Sequence, residues 1–568
     1  MTLWHRALAC ALWLVTEIGC SSEDSVGPAT AGSAGVSSSA GTGGVAPNAG
    51  ATAVGGAAGN SSAAGSLAMG GSAGATPAAG FDAMLTVSAL GANQSVGVEW
   101  NAVPGATSYK VYFAEGAAAT STSSSVQVTA PHAAFVHRAL KNETVYHYAV
   151  SAIVGGNESK LSADVSATPT GEWALEELGD GQIEDVATGQ PAPRIPLAKR
   201  VHLLLFAEGY TVTDLPKFHA DDDHAGKRAG DVDAWIDYVF SIAPYKDFRE
   251  AFAIWYLPRA SNTHFDGADT AFMVPVTDAV GTVSATGETA TRAWQAIGLH
   301  PVPPTDFTST GFSSTRTHVA SFLLFDAARG RAGVSGLTLA LRNPAQSAQR
   351  IAAAFGIGHA HEFTHAFSSL RDEYIELDNS APTNPGEMSN VVAANQCSSL
   401  PWQHLLSGGA YNANTESLVG AFGTPEQGYH SELVCLLNGT HDNAAHYGGN
   451  GLLRDDDRMC NFCREVTAFR IYSRTSILSD DNAGFAIWKA SYRAKFFAQF
   501  PFQSPAVVPQ TNNVQNPAQG MPIYEACSAT AQLLRASATP PSFAATNAAA
   551  AGNFTRASPA RQGCIGEL

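Results

Sequence analysis

The run His361-Glu362-Phe363-Thr364-His365 sets two imidazoles four positions apart, with a carboxylate directly after the first. On an α-helix, residues at i and i+4 share a face about 6 Å apart along the axis, so both rings can reach one metal ion. Glu362 then stands beside the metal's open position, where it can take a proton from the attacking water. This is the chemistry of a zinc hydrolase, with His361 and His365 as expected ligands and Glu362 as expected general base.

A third ligand has to come from beyond this helix. If the helix ran straight on, Asp372 would lie about 10 Å past His365, so the chain has to bend after Phe367. Ser368 and Ser369, whose side chains bond to nearby backbone, provide a place for that bend. A turn there returns Asp372 to the metal, or in second place Glu373; carboxylate oxygen is an ordinary zinc ligand. His430, His441 and His446 compete for the same role from further along the chain. His359 lacks a glutamate at the right offset and reads as a neighbour of the site.

The elements that position these residues follow from periodicity. Phe363 and Phe367, four apart, give the histidine segment an apolar face, and residues 347–355 upstream are rich in helix formers. Strand-like runs at 202–206, 251–257 and 319–325 alternate with helical stretches at 231–242 and 345–355, which predicts α/β layering.

The pattern from His361 to Tyr374, H-E-x-x-H-x4-L-x-D-E-Y, resembles the active-site signature of the bacterial IgA peptidase family of zinc metallopeptidases. The segment from Val201 to Tyr210, with Leu215 and Phe218, resembles that family's opening strand and Gly-Tyr turn. Residues 248–256 resemble its next strand, and Met459 to Glu465 its distal methionine-containing segment. The resemblance spans residues 172–500. It implies an α/β metzincin-like zinc peptidase domain with Zn2+ as cofactor, acting outside the cell on extracellular protein or peptide. By the same analogy an upstream edge strand, 319–325 or 337–341, pairs with an extended substrate. Met459 floors the metal, and Tyr429 and Tyr447 are candidate oxyanion donors. The chain departs from the family in having Ser368 and Ser369 where glycine is usual, and in a diverged segment between Tyr374 and Met459. The alternative function is a surface adhesion protein with a degenerate peptidase-like domain; the intact His361, Glu362 and His365 argue for the enzyme.

Upstream, residues 1–20 carry His5 and Arg6 before an apolar core, which reads as a secretory signal. Ile18-Gly19-Cys20-Ser21 resembles a lipoprotein cleavage box that would make Cys20 the lipidated first residue; Glu17 fits that box poorly and keeps ordinary secretion open. Residues 21–80, almost wholly Gly, Ala, Ser and Thr, read as a flexible linker. Residues 81–170 show short alternating apolar runs, and Trp100, Tyr109 to Tyr112, Leu140 and Tyr146 to Tyr148 are similar to a fibronectin type III sandwich. Trp100 and Tyr148 are its expected core and corner residues, and a spacer or docking role is expected of it. The fold class is therefore multidomain, an all-β sandwich followed by an α/β peptidase domain, with a C-terminal extension at 501–568 that reads as partly disordered.

Eight cysteines occur, and setting Cys10 and Cys20 aside with the signal leaves six. Cys460-Asn461-Phe462-Cys463 has the spacing of a metal half-site, but no second C-x-x-C exists. Disulfides to Cys397 and Cys435, and between Cys527 and Cys564, are expected instead. A net charge of -17 argues against nucleic-acid binding. The acidic runs 221–223 and 455–457 read as solvated clusters, with calcium binding as the alternative. No long apolar span follows the signal, so membrane attachment would be through lipid at Cys20, giving an extracellular or cell-surface location.

Overall fold

A computed structural model describes residues 81–220, 230–264, 269–274, 288–304, 317–325, 332–333, 337–342, 359–373, 386–393, 400–405, 422–424, 428–432, 435–438 and 459–500. The signal, the linker, the 345–355 helix, both acidic runs and the C-terminal extension expected from sequence lie outside the described residues.

The first part is a β-sandwich of eight strands: β1 (Val87–Ala92), β2 (Ser95–Trp100), β3 (Ala106–Glu115), β4 (Ser124–Thr129), β5 (Ala134–His137), β6 (Tyr146–Val154), β7 (Asn157–Glu158) and β8 (Val165–Ala167). One sheet runs β1-β2-β5; the other runs β4-β3-β6-β7, with β8 also on β6. Alternate residues of both inner faces, among them Val96, Val98, Trp100, Tyr109, Val111, Tyr148 and Val150, form its core. Trp100 packs edge-on against Tyr109 at 5.3 Å. The corner residue differs from the expected one. Tyr148 is buried with its hydroxyl 3.1 Å from His137 Nδ1, whereas Tyr146, at the start of β6, accepts the Lys141 N–H at 3.2 Å. A hydroxyl that ties the strand start to the preceding turn is the corner geometry, so Tyr146 fills that role.

The second part is built on a six-stranded sheet. After β9 (Ala174–Leu178) and the small hairpin β10 (Glu184–Asp185) and β11 (Gln190–Pro191), it is completed by β12 (Val201–Glu208), β13 (Phe252–Leu257), β14 (His318–Phe325), β15 (Ala332–Gly333) and β16 (Leu337–Arg342). The order is β15-β16-β14-β12-β13-β9. The inner four strands are parallel and the two edges antiparallel. Gly209, at φ +77°, ends β12 in a left-handed turn that a side chain would disfavour. The helices among the described residues include α1 (Leu215–Phe218), α2 (Asp231–Val239), α3 (Glu288–Gly298), α4 (His359–Ser368) and α5 (Asn461–Arg474), followed by two short ones at Asn482–Ile487 and Arg493–Gln499.

Parallel strands are covered on both faces, and here the two covers differ. On one face Leu203, Leu205, Ile254, Val319 and Leu323 pack with Trp235 of α2, Phe363 and Phe367 of α4, and Phe469 of α5. On the other, Leu204, Phe206, Trp255 and Phe322 pack with Ala296 and Ile297 of α3 and with Ala92 and Ala134 of the sandwich. The sandwich therefore docks on the sheet face opposite the histidine helix. The contact is also polar: buried Arg200 meets Glu99 at 2.6 Å, Arg194 donates to Trp100 O at 2.6 Å, and Asn93 N–H donates to Trp173 O at 2.6 Å.

The topology corrects one expectation for substrate pairing. Strand β14 lies between β12 and β16 with both edges hydrogen-bonded, so 319–325 has no edge to offer. Strand β16 is covered on its outer side only at Leu337 and Thr338 by β15, so among the described residues 339–342 pair with β14 on one side and with no strand on the other.

Candidate active site

Helix α4 forms where sequence periodicity places it, and its apolar face is anchored by aromatic contacts. Phe363 packs on Trp235 at 5.3 Å and Tyr245 at 5.2 Å, and Phe367 on Tyr245 at 5.5 Å. Burying each phenylalanine contributes roughly 1.5–3 kcal/mol. The Tyr245 hydroxyl lies 3.2 Å from Thr364 Oγ1, and Ser368 Oγ lies 2.9 Å from Thr467 Oγ1 on α5. At the helix end, the Arg474 guanidinium donates twice to Phe367 O, at 3.1 and 2.9 Å, satisfying a carbonyl that the helix leaves open. No sequence signal pairs Arg474 with a helix about a hundred residues upstream.

The turn after α4 is decided at one residue. Ser369 adopts φ +57°, and its N–H bonds to His365 O at 2.9 Å, which is the left-handed helix cap usually given to glycine. Serine holds the conformation that glycine would hold with less strain. The reversal brings Asp372 back over the helix.

His361 Nε2, His365 Nε2 and Asp372 Oδ1 form a triangle whose three sides are each 2.9 Å. The rings of the two histidines stand nearly perpendicular, at 82°. His361 Nδ1 lies 2.7 Å from Leu436 O, and His365 Nδ1 2.7 Å from Leu370 O. A carbonyl only accepts, so each Nδ1 carries the proton and each Nε2 turns a lone pair toward the other and toward a carboxylate. Three lone-pair donors that close repel one another unless a cation sits among them. Two neutral imidazoles and one carboxylate, with both outer nitrogens tied to carbonyls, are a donor set that zinc takes. The His361 side chain is 1% exposed and that of Asp372 23%, so the triangle opens on the Asp372 side.

The other expected residues are placed as follows. Glu362 follows His361 in α4, and its side chain, like that of His359, lies outside the described residues, as do His441, His446, Tyr447 and Cys397. Glu373 turns away from the triangle, its Oε1 3.1 Å from Cys463 Sγ. His430 also stands apart, donating from Nδ1 to Glu432 O at 2.8 Å, with Glu373 Oε2 at 3.7 Å. Tyr429 is buried in the core and its backbone pairs with Val392, so it packs as a structural residue. Met459 is fully buried ahead of α5. The disulfide expected at Cys435 is not formed: Cys435, Cys460 and Cys463 are free thiols.

A separate histidine group, His202, His300 and His318, is also buried, but its chemistry differs. His202 Nδ1 accepts from Trp255 Nε1 at 3.0 Å and its Nε2 donates to Leu197 O at 2.9 Å; His318 Nε2 donates to Val302 O at 2.8 Å. His202 and His318 spend their nitrogens on protein partners, while His300 bonds through Nδ1 to Val302 and leaves a buried Nε2 unpaired; the three rings pack together in the sheet's second core.

No curated protein matches the chain. Among solved structures it is similar to the FN1-FN3 domains of chicken CNTN1, at 20% identity over 15% of this chain and 31% of that one, with a TM-score of 0.14. It is also similar to the third fibronectin III domain of human KIAA0343 protein, at 19% identity over 18% of this chain and 95% of that one, TM-score 0.14. A Fn3-like protein from Clostridium thermocellum matches at 24% identity over 15% of this chain and 90% of that one, TM-score 0.14. The IgA peptidase M64 family model matches residues 192–412, a span that holds His361, Glu362, His365 and Asp372. Over residues 192–412 the chain is therefore similar to the IgA peptidase M64 family.

Proposed function

We propose that this chain is a secreted or surface-tethered zinc endopeptidase that hydrolyses peptide bonds of extracellular proteins. The observation that carries the reading is the 2.9 Å triangle of His361 Nε2, His365 Nε2 and Asp372 Oδ1, formed within a region that matches a peptidase family. His361, His365 and Asp372 would hold the ion; when bound, zinc supplies a Lewis acid that polarises the scissile carbonyl and acidifies water.

Leu436 O and Leu370 O keep both imidazoles in the tautomer that points Nε2 inward. Glu362 takes a proton from the attacking water and returns it to the leaving amine, a role assigned from its place directly after His361. The outer edge of β16 at residues 339–342, beside α4, is where an extended substrate would add as a strand. A metzincin-like architecture is consistent with a parallel sheet backed by the histidine helix. Export rests on the signal-like residues 1–20, with lipid at Cys20 as the anchor in the tethered form. The charge of -17 leaves nucleic acid out of the proposal.

The test compares full-length wild type with Glu362→Gln for zinc content and for cleavage of a generic unfolded protein. Zinc in both with cleavage by wild type alone supports the reading. Folded wild type that binds no zinc, or a Glu362→Gln variant that cleaves like wild type, overturns it.

A further inference from the structure

Four ligand-bearing side chains outside the histidine triangle converge in the core. Glu373 comes from the loop after α4, Cys435 from the start of the short 435–438 segment, Cys460 caps α5, and Cys463 lies in its first turn. One ligand atom from each lies within 4.8 Å of all the others. Cys435 is 1% exposed, Cys460 and Cys463 0%, and Glu373 3%. A tetrahedral zinc ion with thiolate bonds of about 2.3 Å has ligand-to-ligand edges of roughly 3.8 Å. Glu373 Oε1 already lies 3.7 Å from Cys460 Sγ and 3.1 Å from Cys463 Sγ.

Hydrogen-bond donors converge on the sulfurs. Cys463 N–H donates to Cys460 Sγ at 3.3 Å, Cys460 N–H to Cys435 Sγ at 3.2 Å, and Ser431 Oγ to Cys460 Sγ at 3.3 Å. The two backbone donors belong to the N-terminus of α5, whose dipole favours negative charge on a facing sulfur. Glu373 is less well provided: Asn390 Nδ2 donates to its Oε1 at 3.1 Å, while its buried Oε2 has no hydrogen-bond partner. An orphaned carboxylate oxygen in a closed core is costly unless a cation shares the site. Pairing two of the sulfurs as a disulfide would leave the third with the carboxylate, still buried together.

We propose that Glu373, Cys435, Cys460 and Cys463 form a second, structural zinc site. Three soft sulfur ligands and one carboxylate in a closed, four-coordinate arrangement select zinc and leave no open position for catalysis. The site joins the elements that build the histidine triangle. Glu373 is bonded to Asp372, and its N–H donates to Leu437 O at 2.7 Å. The same segment, anchored by Cys435, provides the Leu436 carbonyl that orients His361. A metal here would brace the loop of the third catalytic ligand and the support of the first.

The experiment uses full-length protein and zinc as the probe. Wild type is expected to hold two zinc ions per chain, and the His361→Ala/His365→Ala variant one. X-ray absorption at the zinc edge of that variant is expected to show about three sulfur neighbours near 2.3 Å. On wild type, titration with a mercurial thiol reagent is expected to release one zinc as three thiols react, which needs no variant to fold. Cys460→Ser/Cys463→Ser is expected to lose one zinc and keep the other. The proposal is overturned if zinc in the histidine variant shows only nitrogen and oxygen neighbours, if folded histidine variant holds no zinc, or if alkylation and mass analysis find Cys435, Cys460 or Cys463 in a disulfide, to Cys397 or to each other. Thiolate zinc without histidine zinc in wild type would keep this site and remove the peptidase reading instead.

Discussion

Asp372 and Glu373 are consecutive, yet their carboxylates serve separate clusters: Asp372 Oδ1 lies 2.9 Å from both histidine Nε2 atoms, and Glu373 Oε1 lies 3.1 Å from Cys463 Sγ. Successive side chains of an extended segment point to opposite sides, so one short loop can face two sites. This makes Asp372 the carboxylate of the histidine triangle. Asp372→Ala is expected to lower peptidase activity and zinc affinity at that site at least about 100-fold, as judged from second-sphere losses of 10–100-fold elsewhere. Activity and zinc retention after dialysis check it; unchanged values for both would move the third ligand elsewhere.

Ser369→Gly is expected to stabilise the protein. At φ +57° serine bears a left-handed strain of about 1–2 kcal/mol, while glycine loses more chain entropy on folding, so a net gain of about 0.5–1 kcal/mol remains. Denaturant unfolding of the pair measures it. A loss of stability would show that the serine side chain supports the turn by more than its strain.

Glu99→Ala is expected to destabilise the joint between sandwich and peptidase domain. Arg200 is fully buried and meets Glu99 at 2.6 Å, so removing the carboxylate leaves a buried cation supported only by carbonyls. Breaking such a pair costs about 3 kcal/mol. Gly97 makes a second test at the same joint: a Cβ there would come 2.6 Å from Leu175 Cδ2, so Gly97→Val should also lower the melting temperature. Protein cut to begin at residue 172 is expected to unfold more readily than the full chain, because the cut exposes the core shared with Ala92 and Ala134.

Acid should weaken the fold through the buried histidines. Desolvation, then the neighbouring His318, lowers His300 to about 3 and holds His202 well below its ordinary value. Both are neutral in the folded state, and both take up a proton when unfolded below about 6.5. Their contribution is present above that pH and is lost as pH falls through 6.5 toward the folded values, by about 2 kcal/mol at pH 5 for His300. His300→Gln is expected to remove about one proton from the pH 5–6.5 slope of stability. An unchanged slope would place the acid sensitivity elsewhere.

The histidine helix was legible in the sequence because helical geometry is local. Once residues 359–368 coil, the 3.6-residue period alone puts His361 and His365 on one face, and Phe363 and Phe367 on the buried one. Alternating runs likewise exposed strands β2, β3 and β6 of the sandwich, since a two-residue period is also a property of neighbours along the chain, and a short continuous apolar run exposed β12 of the sheet. The rest depended on contacts between distant segments. Asp372 and Glu373 have nearly the same chemistry, and only the cap at Ser369 together with the packing of the 435–438 segment and α5 decides which turns to the histidines. Strand order is equally non-local: residues 319–325 read as a free edge or a core strand until hydrogen bonds to β12 and β16 closed both sides. The cysteines followed the same rule, because spacing identifies a half-site while its completion by Cys435 and Glu373 comes from chain segments that meet only in the folded core.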